Sequence, residues 1–404
     1  MSQSKFTIAE TFVGCGGAHF GFKKSGYETI FVNDIWGDAL KTLKINENEL
    51  TDNQIIHEDI NKLTKETLDN RKLSYQDVDV FIGGVVCKGF SLAGVRNPYD
   101  ERNYLYLEQL RLVNIIRPKI SIIENVPAML NMKILNKNNT DSVKNLCNEL
   151  SKLCDDHKKT RGQLIAAKKN YAKENTNENQ MKVDQLKQIM ENITVKRKQM
   201  EKDLDQYKYS VVADIERIYN EMGYNVHKKV LMCSDYNCAT NRKRLFIVAT
   251  RRDLNLNWEY PEPTTHDNKP TVKDAFDLLD YQGVNNPETD VDNRPMNHRP
   301  STVEKFKKVL VDKKEQGAYF SRGTSSRLSY YKPAPTLVPG HSSFQIHPTE
   351  HRSITVREGG IITGFDKDFK FYGSHTSRCM QIGNAIPVNM AYHLAEQCKK
   401  VLSN

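Results

Sequence analysis

Short apolar segments that end in glycine or an acidic residue recur along the chain and predict a parallel β-sheet. Strands are predicted at 6–12, 29–32, 55–60, 78–82 and 120–123. The segment 78–82 is apolar apart from Asp79, which is typical of a strand buried on both faces. Two more strands, joined by a turn, are predicted within 231–250. Open α/β sheets bind ligands beyond the carboxyl ends of their strands, so the residues after each segment are the functional candidates.

A different period marks residues 131–208. Apolar or long side chains recur there in steps of three and four, first from Val143 to Tyr171 and then from Val183 to Val211. This heptad spacing predicts an antiparallel helical coiled-coil hairpin. Its arms of about 30 residues would extend roughly 45 Å.

The 404-residue chain has a formal charge of +9, and most of the excess lies in the predicted hairpin. Residues 131–210 contain 17 Lys or Arg and 11 Asp or Glu, a net charge of +6. A basic excess suits a polyanionic partner and equally suits a soluble surface. The hairpin is therefore either a solvated coiled coil or an arm that contacts DNA phosphates or a partner protein.

Cysteine spacing and hydropathy indicate the cellular compartment of the protein. The eight cysteines include no Cys-x-x-Cys pair, so no zinc or other metal site is predicted. Scattered cysteines in a large chain fit a reducing compartment. A polar N-terminus and the lack of a long apolar run predict no signal peptide and no membrane contact. We expect an intracellular protein, cytoplasmic and nucleoid-associated in a bacterium or phage host.

Cys87 lies in a loop three residues after the strand-ending pair Gly83-Gly84. A thiol at this position of an α/β sheet is a candidate nucleophile. The alternative is a small buried hydrophobic residue, the commoner role of a free cysteine. Glu124 ends the strand at 120–123 and would lie beside Cys87 if the two strands are neighbours.

Three other strand ends predict a nucleoside site. The first strand enters the glycine-rich turn VGCGG, the second ends at Asp34 and the third at Asp59. Asp34 could accept both ribose hydroxyls, Ile35 could flank an adenine, and Asp59 could accept from its amino group. Each acid alone would more often cap a helix. Together they predict a cofactor such as S-adenosylmethionine.

These segments, in this order, resemble the cytosine-C5 DNA methyltransferases. The matching segments are FVGCGGAHFGF, Asp34, Asp59-Ile60, VVCKGFSLAG, ENV at 124–126, NRKRLFIVAT, RSITVREGGIITGF and QIGNAIPVNMA. The resemblance implies a Rossmann-like class I methyltransferase sheet with helices on both faces and a small recognition domain. It also implies five segments: a first catalytic part (1–130), the coiled-coil insertion (131–208), a second catalytic part (209–252), a target-recognition domain (253–350) and closing catalytic motifs (351–404).

The same resemblance implies roles for individual residues. The catalytic residues would be Cys87, Glu124, Arg242 and Arg244. The S-adenosylmethionine site would comprise Phe12, Gly14, Gly16, Gly17, Asp34, Ile35, Asp59, Ile60, Asn384 and Ala385. DNA contacts would come from Lys88, Ser91, Arg96 and Arg327.

The implied reaction is methylation of a cytosine flipped out of double-stranded DNA. Cys87 would add to C6, Glu124 would protonate or hydrogen-bond N3, and Arg242 would bind the carbonyl oxygen. Arg244 would steady Glu124 or the loop. A restriction endonuclease or another protein could bind through the hairpin, and the oligomeric state is not predicted.

Three positions depart from the family pattern. Val86 and Lys88 replace proline and glutamine on either side of the nucleophile, and Thr240 replaces glutamine in the arginine motif. Lys88 adds a charge that could favour the Cys87 thiolate. Two alternative functions remain: a catalytically silent DNA-binding homologue and an RNA cytosine-C5 methyltransferase.

Overall fold

The computed structural model describes residues 6–85, 101–136, 139–311, 326–338 and 344–403. The chain divides into two compact units. The first takes its residues from Met1–Cys87, Tyr104–Pro127 and Ile215–Asn404, and the second from Lys88–Asn103 and Ala128–Asp214.

Nine strands and twelve α-helices occur among the described residues. The strands are β1 (Thr7–Thr11), β2 (Glu28–Asp34), β3 (Ile55–His57), β4 (Val80–Gly84), β5 (Ile120–Asn125), β6 (Lys133–Leu135), β7 (Lys208–Ser210), β8 (Tyr224–Met232) and β9 (Lys243–Arg251). The helices are α1 (Gly17–Lys24), α2 (Gly37–Asn46), α3 (Lys65–Asn70), α4 (Leu105–Ile116), α5 (Asp141–Lys173), α6 (Asn177–Asp203), α7 (Val211–Glu221), α8 (Val272–Phe276), α9 (Pro300–Lys308), α10 (Val356–Thr363), α11 (His375–Asn384) and α12 (Val388–Leu402).

A seven-stranded sheet, in the order β3-β2-β1-β4-β5-β9-β8, is the centre of the first unit. The strands from β3 to β5 pair in parallel, whereas β9 runs antiparallel to both β5 and β8. Of the two strands predicted within 231–250, only β9 is found there, because β8 begins at Tyr224 and overlaps that segment only at 231–232. The other predicted strands are present, but β3 stops at His57. Asp59 accepts a hydrogen bond from the Asn61 amide and thereby starts a short 3-10 helix instead.

Helices cover both faces of this sheet, which confirms the predicted Rossmann-like architecture. On one face, Phe22 of α1 and Leu394 of α12 share a core with Ile82 and Ile122. On the other face, the Ser121 hydroxyl of β5 bonds to the Tyr219 hydroxyl of α7 at 2.8 Å. Successive residues of a strand point to opposite faces of the sheet, so the side chains of Ser121 and Ile122 lie on different faces.

Two glycines let α1 approach the chain around α12 closely. A Cβ atom at Gly21 would lie 2.5 Å from the Ala391 Cβ and 2.6 Å from the Val388 carbonyl oxygen. A Cβ atom at Gly17 would lie 2.2 Å from the Ile386 carbonyl oxygen. Any larger residue at either position would force these segments apart.

The second unit contains the predicted helical hairpin. Helices α5 and α6, of 33 and 27 residues, are joined at 174–176, and the Thr176 side chain caps α6. Val143, Cys147 and Leu150 pack with Met200 and Leu204 at one end. At the other end, Leu164 and Ala167 pack with Val183. The helices therefore run antiparallel, whereas their supercoiling stays a prediction.

Residues 253–350 belong to the first unit. Their described part contains the short helices α8 and α9 and isolated bridges such as Arg327 with Ile346. Phe276 and Leu337 share a core with Ile361 of α10 and Ile382 of α11. A target-recognition role for this region stays a prediction. In the ranges given above, no helix is both long and apolar enough to cross a membrane.

Candidate active site

Several predicted site residues follow neighbouring strands at one edge of the sheet. Thr11 of β1 pairs with Gly83 of β4, and Gly84 pairs with Glu124 of β5. The residues that follow β1 and β4 and those that end β5 therefore meet at the carboxyl edge of the parallel strands. This is the edge where α/β sheets bind their ligands.

Glu124 is a buried carboxyl group beside two buried arginines. Its Oε1 lies 2.7 Å from the Arg244 Nε. The two side chains form a close, buried ion pair. Burial raises the pKa of Glu124 above its usual range and outweighs the opposing charges of Arg244 and Arg242. The net shift favours the protonated form of the side chain.

Arg242 and Arg244 reach Glu124 from the entry to β9. Alternate residues of an extended chain point to the same side, and both guanidinium groups act electrostatically on Glu124. The backbone at Arg242 is anchored because its carbonyl accepts a hydrogen bond from the Cys233 amide at 2.8 Å. Arg244 also donates to the Lys243 carbonyl at 2.7 Å. Both side chains are largely buried, which strengthens their effect on any group that develops negative charge nearby.

The turn after β1 is built around left-handed backbone conformations at Phe12, Gly14 and Gly16, with φ of +52°, +57° and +94°. Asp34, at the end of β2, stabilises this turn. Its carboxylate accepts from the Gly14 amide and from the Trp36 amide, each at 2.8 Å. Burial raises the pKa of Asp34. The two bonds orient the carboxylate and leave it the lone pairs needed to accept ribose hydroxyls.

The turn after β1 has open space beside it, as a nucleoside cofactor would require. A Cβ atom at Gly14 would meet no atom within 4 Å. One at Gly84 would lie 3.7 Å from both the Glu124 Oε2 and the Phe12 carbonyl oxygen. Ile35, next to Asp34, is 65% exposed and offers an apolar surface for a purine. The residues fit a nucleoside cofactor such as S-adenosylmethionine.

The remaining predicted cofactor residues differ in their burial and in their hydrogen bonds. Asp59 accepts from the Asn61 amide and side chain through Oδ1. Ile60 is buried within the protein, so only its backbone could contact a ligand. Asn384 is exposed at the end of α11, whereas Ala385 is buried. A Cβ atom at Gly17 would lie 3.1 Å from the Ala385 Cβ, so this pair packs on the start of α1.

Four predicted residues lie outside the described residues: Cys87, Lys88, Ser91 and Arg96. The chain can be followed to Val85, whose carbonyl accepts from the Asn125 side chain at 3.2 Å. Asn125 is the neighbour of Glu124, so the segment is fixed beside the carboxyl group two residues before Cys87.

Arg327 is a correction to the predicted DNA contacts. It is buried, and its guanidinium donates to four carbonyl oxygens and to the His351 ring. The carbonyls are those of Phe306, Val309, His347 and Glu350, at 2.6–2.9 Å. These bonds use all five N–H donors of an arginine, so none is left for a phosphate or base. Arg327 holds the fold of its region together instead.

The sequence analysis missed a buried ionic network next to the turn after β1, which we call the cofactor turn. His19 of α1 lies 2.8 Å from Glu10 of β1 and 3.4 Å from Glu47, which also contacts Lys23 at 2.5 Å. Burial alone would lower the pKa of His19, but hydrogen bonds to Glu10 and Glu47 raise it to about 9. A glutamate within the apolar strand TIAET was the available signal, because a buried charge needs a partner.

Cys233 is a second residue that the sequence analysis did not assign to the site. It is fully buried close to Glu124 and the two arginines. Burial raises the pKa of its thiol to about 12 despite the arginine charges. The thiol therefore stays protonated at neutral pH and is not a candidate nucleophile.

Comparisons with known proteins agree on one family. The model of the C-5 cytosine-specific DNA methylases matches residues 6–154 and 189–400, which leaves 155–188 unmatched. The Type II methyltransferase M.DdeI of Desulfomicrobium norvegicum is 26% identical over 98% of this chain and 89% of its own length. The Type II methyltransferase M.FnuDI of Fusobacterium nucleatum is 25% identical over 98% of this chain and 95% of its own.

Solved structures agree on the fold. A prophage-encoded E. coli protein, named as a DNA modification methyltransferase, aligns with a TM-score of 0.62 at 20% identity and covers 99% of this chain and 100% of its own. The S. pombe Dnmt2 methyltransferase aligns with a TM-score of 0.57 at 14% identity and the same coverage.

Proposed function

The chain belongs to the C-5 cytosine-specific DNA methylase family, and on that premise we propose that it transfers a methyl group from S-adenosylmethionine to C5 of a cytosine in duplex DNA. The observation that carries the proposal is Glu124, a buried carboxyl group with a raised pKa beside two arginines. It lies across from Gly84, at the end of the strand that leads to Cys87.

Cytosine C5 is a weak nucleophile, so a covalent step is needed to activate it. We assign this step to Cys87, whose thiolate adds to C6 and forms a carbon–sulfur bond. The electron pair displaced from the C5–C6 double bond gives the ring enamine character at C5. After methyl transfer, loss of the C5 proton to a base expels Cys87 and restores the double bond. Lys88 would favour the thiolate by its charge.

Glu124 supplies the proton that this addition requires at N3. A carboxylate with an ordinary pKa would be ionised at neutral pH and would repel the electron-rich ring. The raised pKa of Glu124 favours the protonated form, which can donate at N3. The second oxygen could accept from the exocyclic amine, so the same side chain would distinguish cytosine from uracil.

The two arginines have separate tasks. Arg244 orients Glu124 through the 2.7 Å contact with its Oε1. Arg242 binds the cytosine carbonyl oxygen as negative charge builds on the ring. Thr240, two residues before Arg242, is buried and its hydroxyl has no partner within the described ranges. It therefore does not replace the missing glutamine as a hydrogen-bonding support in the free protein.

S-adenosylmethionine supplies an electrophilic methyl group when it is bound. Asp34 would hold the ribose, Ile35 would pack on the adenine, and the Gly14 turn would allow the close backbone approach. Asp59 would accept from the adenine amino group. Asn384 and Ala385 would complete the pocket from α11.

DNA binding would involve Lys88, Ser91 and Arg96, together with extrusion of the target base at a cost of a few kcal/mol. The curated relatives are Type II methyltransferases. We therefore infer that the methylated sequence is one that protects DNA in a restriction-modification system.

The proposal is tested by nucleoside mass spectrometry of duplex DNA incubated with S-adenosylmethionine and the protein. We expect 5-methylcytosine with the parent chain and none with Cys87→Ala, while both bind S-adenosylmethionine equally. DNA binding without any modified base would support a silent homologue, and modification of tRNA alone would support an RNA enzyme. Either result would overturn the proposal.

A further inference from the structure

Positive charge on the helical hairpin is concentrated on one stretch of one helix. Between residues 157 and 173, α5 contains six basic residues and no aspartate or glutamate. All six are exposed: Lys158, Lys159, Arg161, Lys168, Lys169 and Lys173. We call these six residues the basic face. They fall within the segment 155–188 that the family model leaves unmatched, so the basic face is a feature of this chain.

The basic face occupies one half of the helix. At about 100° per residue, its six members span an arc of roughly 180°. The residues that pack toward α6, among them Leu164, Ala167 and Tyr171, fall in the other half. The cations therefore point away from α6 and do not take part in the contact between the two helices.

No described acidic group compensates this charge. Within the described ranges, none of the six residues forms an ion pair. Some basic residues elsewhere in the same unit do form them: Lys133 with Asp205, Lys144 with Asp141, Lys187 with Asp184 and Arg197 with Glu201. Because the basic face has neither an ion pair nor an acidic residue between 157 and 173, its positive potential is available to an external partner.

The chemistry of the basic face fits a nucleic-acid backbone better than a protein. Lysine is depleted in protein interfaces, which instead bury aromatic and apolar groups. Ile165, 50% exposed, is the one large apolar side chain that is strongly exposed between residues 157 and 173. Lysine and arginine side chains on a helix are the usual contacts to DNA phosphates. From Lys158 to Lys173 the helix rises about 22 Å, enough to reach several phosphates of one strand.

We propose that the basic face of α5 binds DNA phosphates without reading base sequence. The inference rests on the DNA substrate of the proposed function and adds a second DNA-binding surface to it. Each phosphate contact releases condensed counterions and makes binding more sensitive to salt, by about 0.9 in the slope of log K against log salt.

The test compares two full-length variants that lose the same charge from the same unit. The first carries four Lys or Arg to Gln changes on the basic face: Lys158→Gln, Arg161→Gln, Lys168→Gln and Lys169→Gln. The matched control carries four at ion-paired cations: Lys133→Gln, Lys144→Gln, Lys187→Gln and Arg197→Gln. Glutamine keeps the helix propensity of lysine and arginine. Affinity for a 40-base-pair duplex is measured by fluorescence anisotropy between 50 and 200 mM KCl.

We expect the first variant to lose about 3 units of salt slope, as for three to four phosphate contacts, and the control to keep the parent slope. The parent would then lose roughly 40- to 150-fold more affinity than the first variant across this salt range. A variant with Lys158→Arg, Lys168→Arg and Lys169→Arg should keep the parent slope. Equal slopes in all proteins, or equal losses in the two Gln variants, would overturn the inference.

Turnover separates this result from the proposed function. The parent and both variants are assayed for 5-methylcytosine at 50 mM KCl with saturating DNA. Methylation by the parent with unchanged slopes would overturn the basic face alone. A slope change without methylation by the parent would overturn the proposed function and leave the basic face intact.

Discussion

Replacing Gly17 with alanine tests how closely the start of α1 must approach the segment that follows α11. The new Cβ atom would lie 2.2 Å from the Ile386 carbonyl oxygen and 3.1 Å from the Ala385 Cβ. The first of these neighbours is backbone, so no side-chain rotation relieves the contact. An ordinary contact needs at least 3.4 Å, so one segment must move by about 1.2 Å.

This displacement should affect stability and cofactor binding together. Overpacking of a tight contact usually costs about 1–3 kcal/mol of folding free energy. Gly17 lies between the cofactor turn and the Asn384-Ala385 pair, so the shift would also widen the proposed cofactor pocket. A misplacement of about 1 Å can lower a rate by roughly 100-fold. We therefore expect Gly17→Ala to lower both the free energy of unfolding and kcat/KM for S-adenosylmethionine.

Gly162→Ala is the matched control. Gly162 lies in α5, and a Cβ atom there would meet nothing within 4 Å. This change should raise stability by up to about 1 kcal/mol through helix propensity and leave cofactor binding unchanged. Urea unfolding measures the stability, and initial methylation rates at varied S-adenosylmethionine concentration measure kcat/KM. Parent-like values for Gly17→Ala in both experiments would refute the close-packing argument.

Three further predictions concern buried ionisable groups. Glu124→Gln should lower kcat by about 10²- to 10⁴-fold without changing S-adenosylmethionine affinity, because only the proton donor is lost. In the parent, kcat should fall as pH rises through the raised pKa of Glu124. His19→Gln should remove a pH dependence of stability. The pKa of His19 is raised to about 9, so its contribution is complete below pH 6.5 and lost as pH rises toward 9. Arg327→Ala should cost more than about 3 kcal/mol of stability, because four carbonyls lose their hydrogen bonds from this buried guanidinium.

Each of these three predictions would be refuted by a specific result. A Glu124→Gln enzyme with parent kcat would remove the proton-donor role. Parallel stability curves for the parent and His19→Gln between pH 6 and 9.5, from urea unfolding at each pH, would show that His19 is not charged in the folded protein. Arg327→Lys, which keeps the charge but not the planar donors, should remain destabilised. Full stability with weakened DNA binding in both Arg327 variants would restore the predicted DNA contact.

The sequence alone determined the parallel sheet, the residues at its carboxyl edge and the family. Buried strands such as 78–82 are recognisable because each is a short apolar run, and the residues that follow them are fixed by chain continuity. Asp34 and Glu124 could therefore be assigned to that edge from the order of residues in the chain. The two hairpin helices were equally visible, because their apolar positions repeat with a local period.

Only the tertiary structure decided the burial and partners of the charged side chains. Arg327 and Lys158 are both basic residues in polar segments, yet one is surrounded by carbonyls and the other is exposed. His19 owes its raised pKa partly to Glu47, 28 residues away. The pKa of Glu124 depends on arginines from β9 that reach it only after that strand pairs with β5. Solvation and hydrogen bonding depend on contacts that are distant in sequence, so no local pattern encodes them.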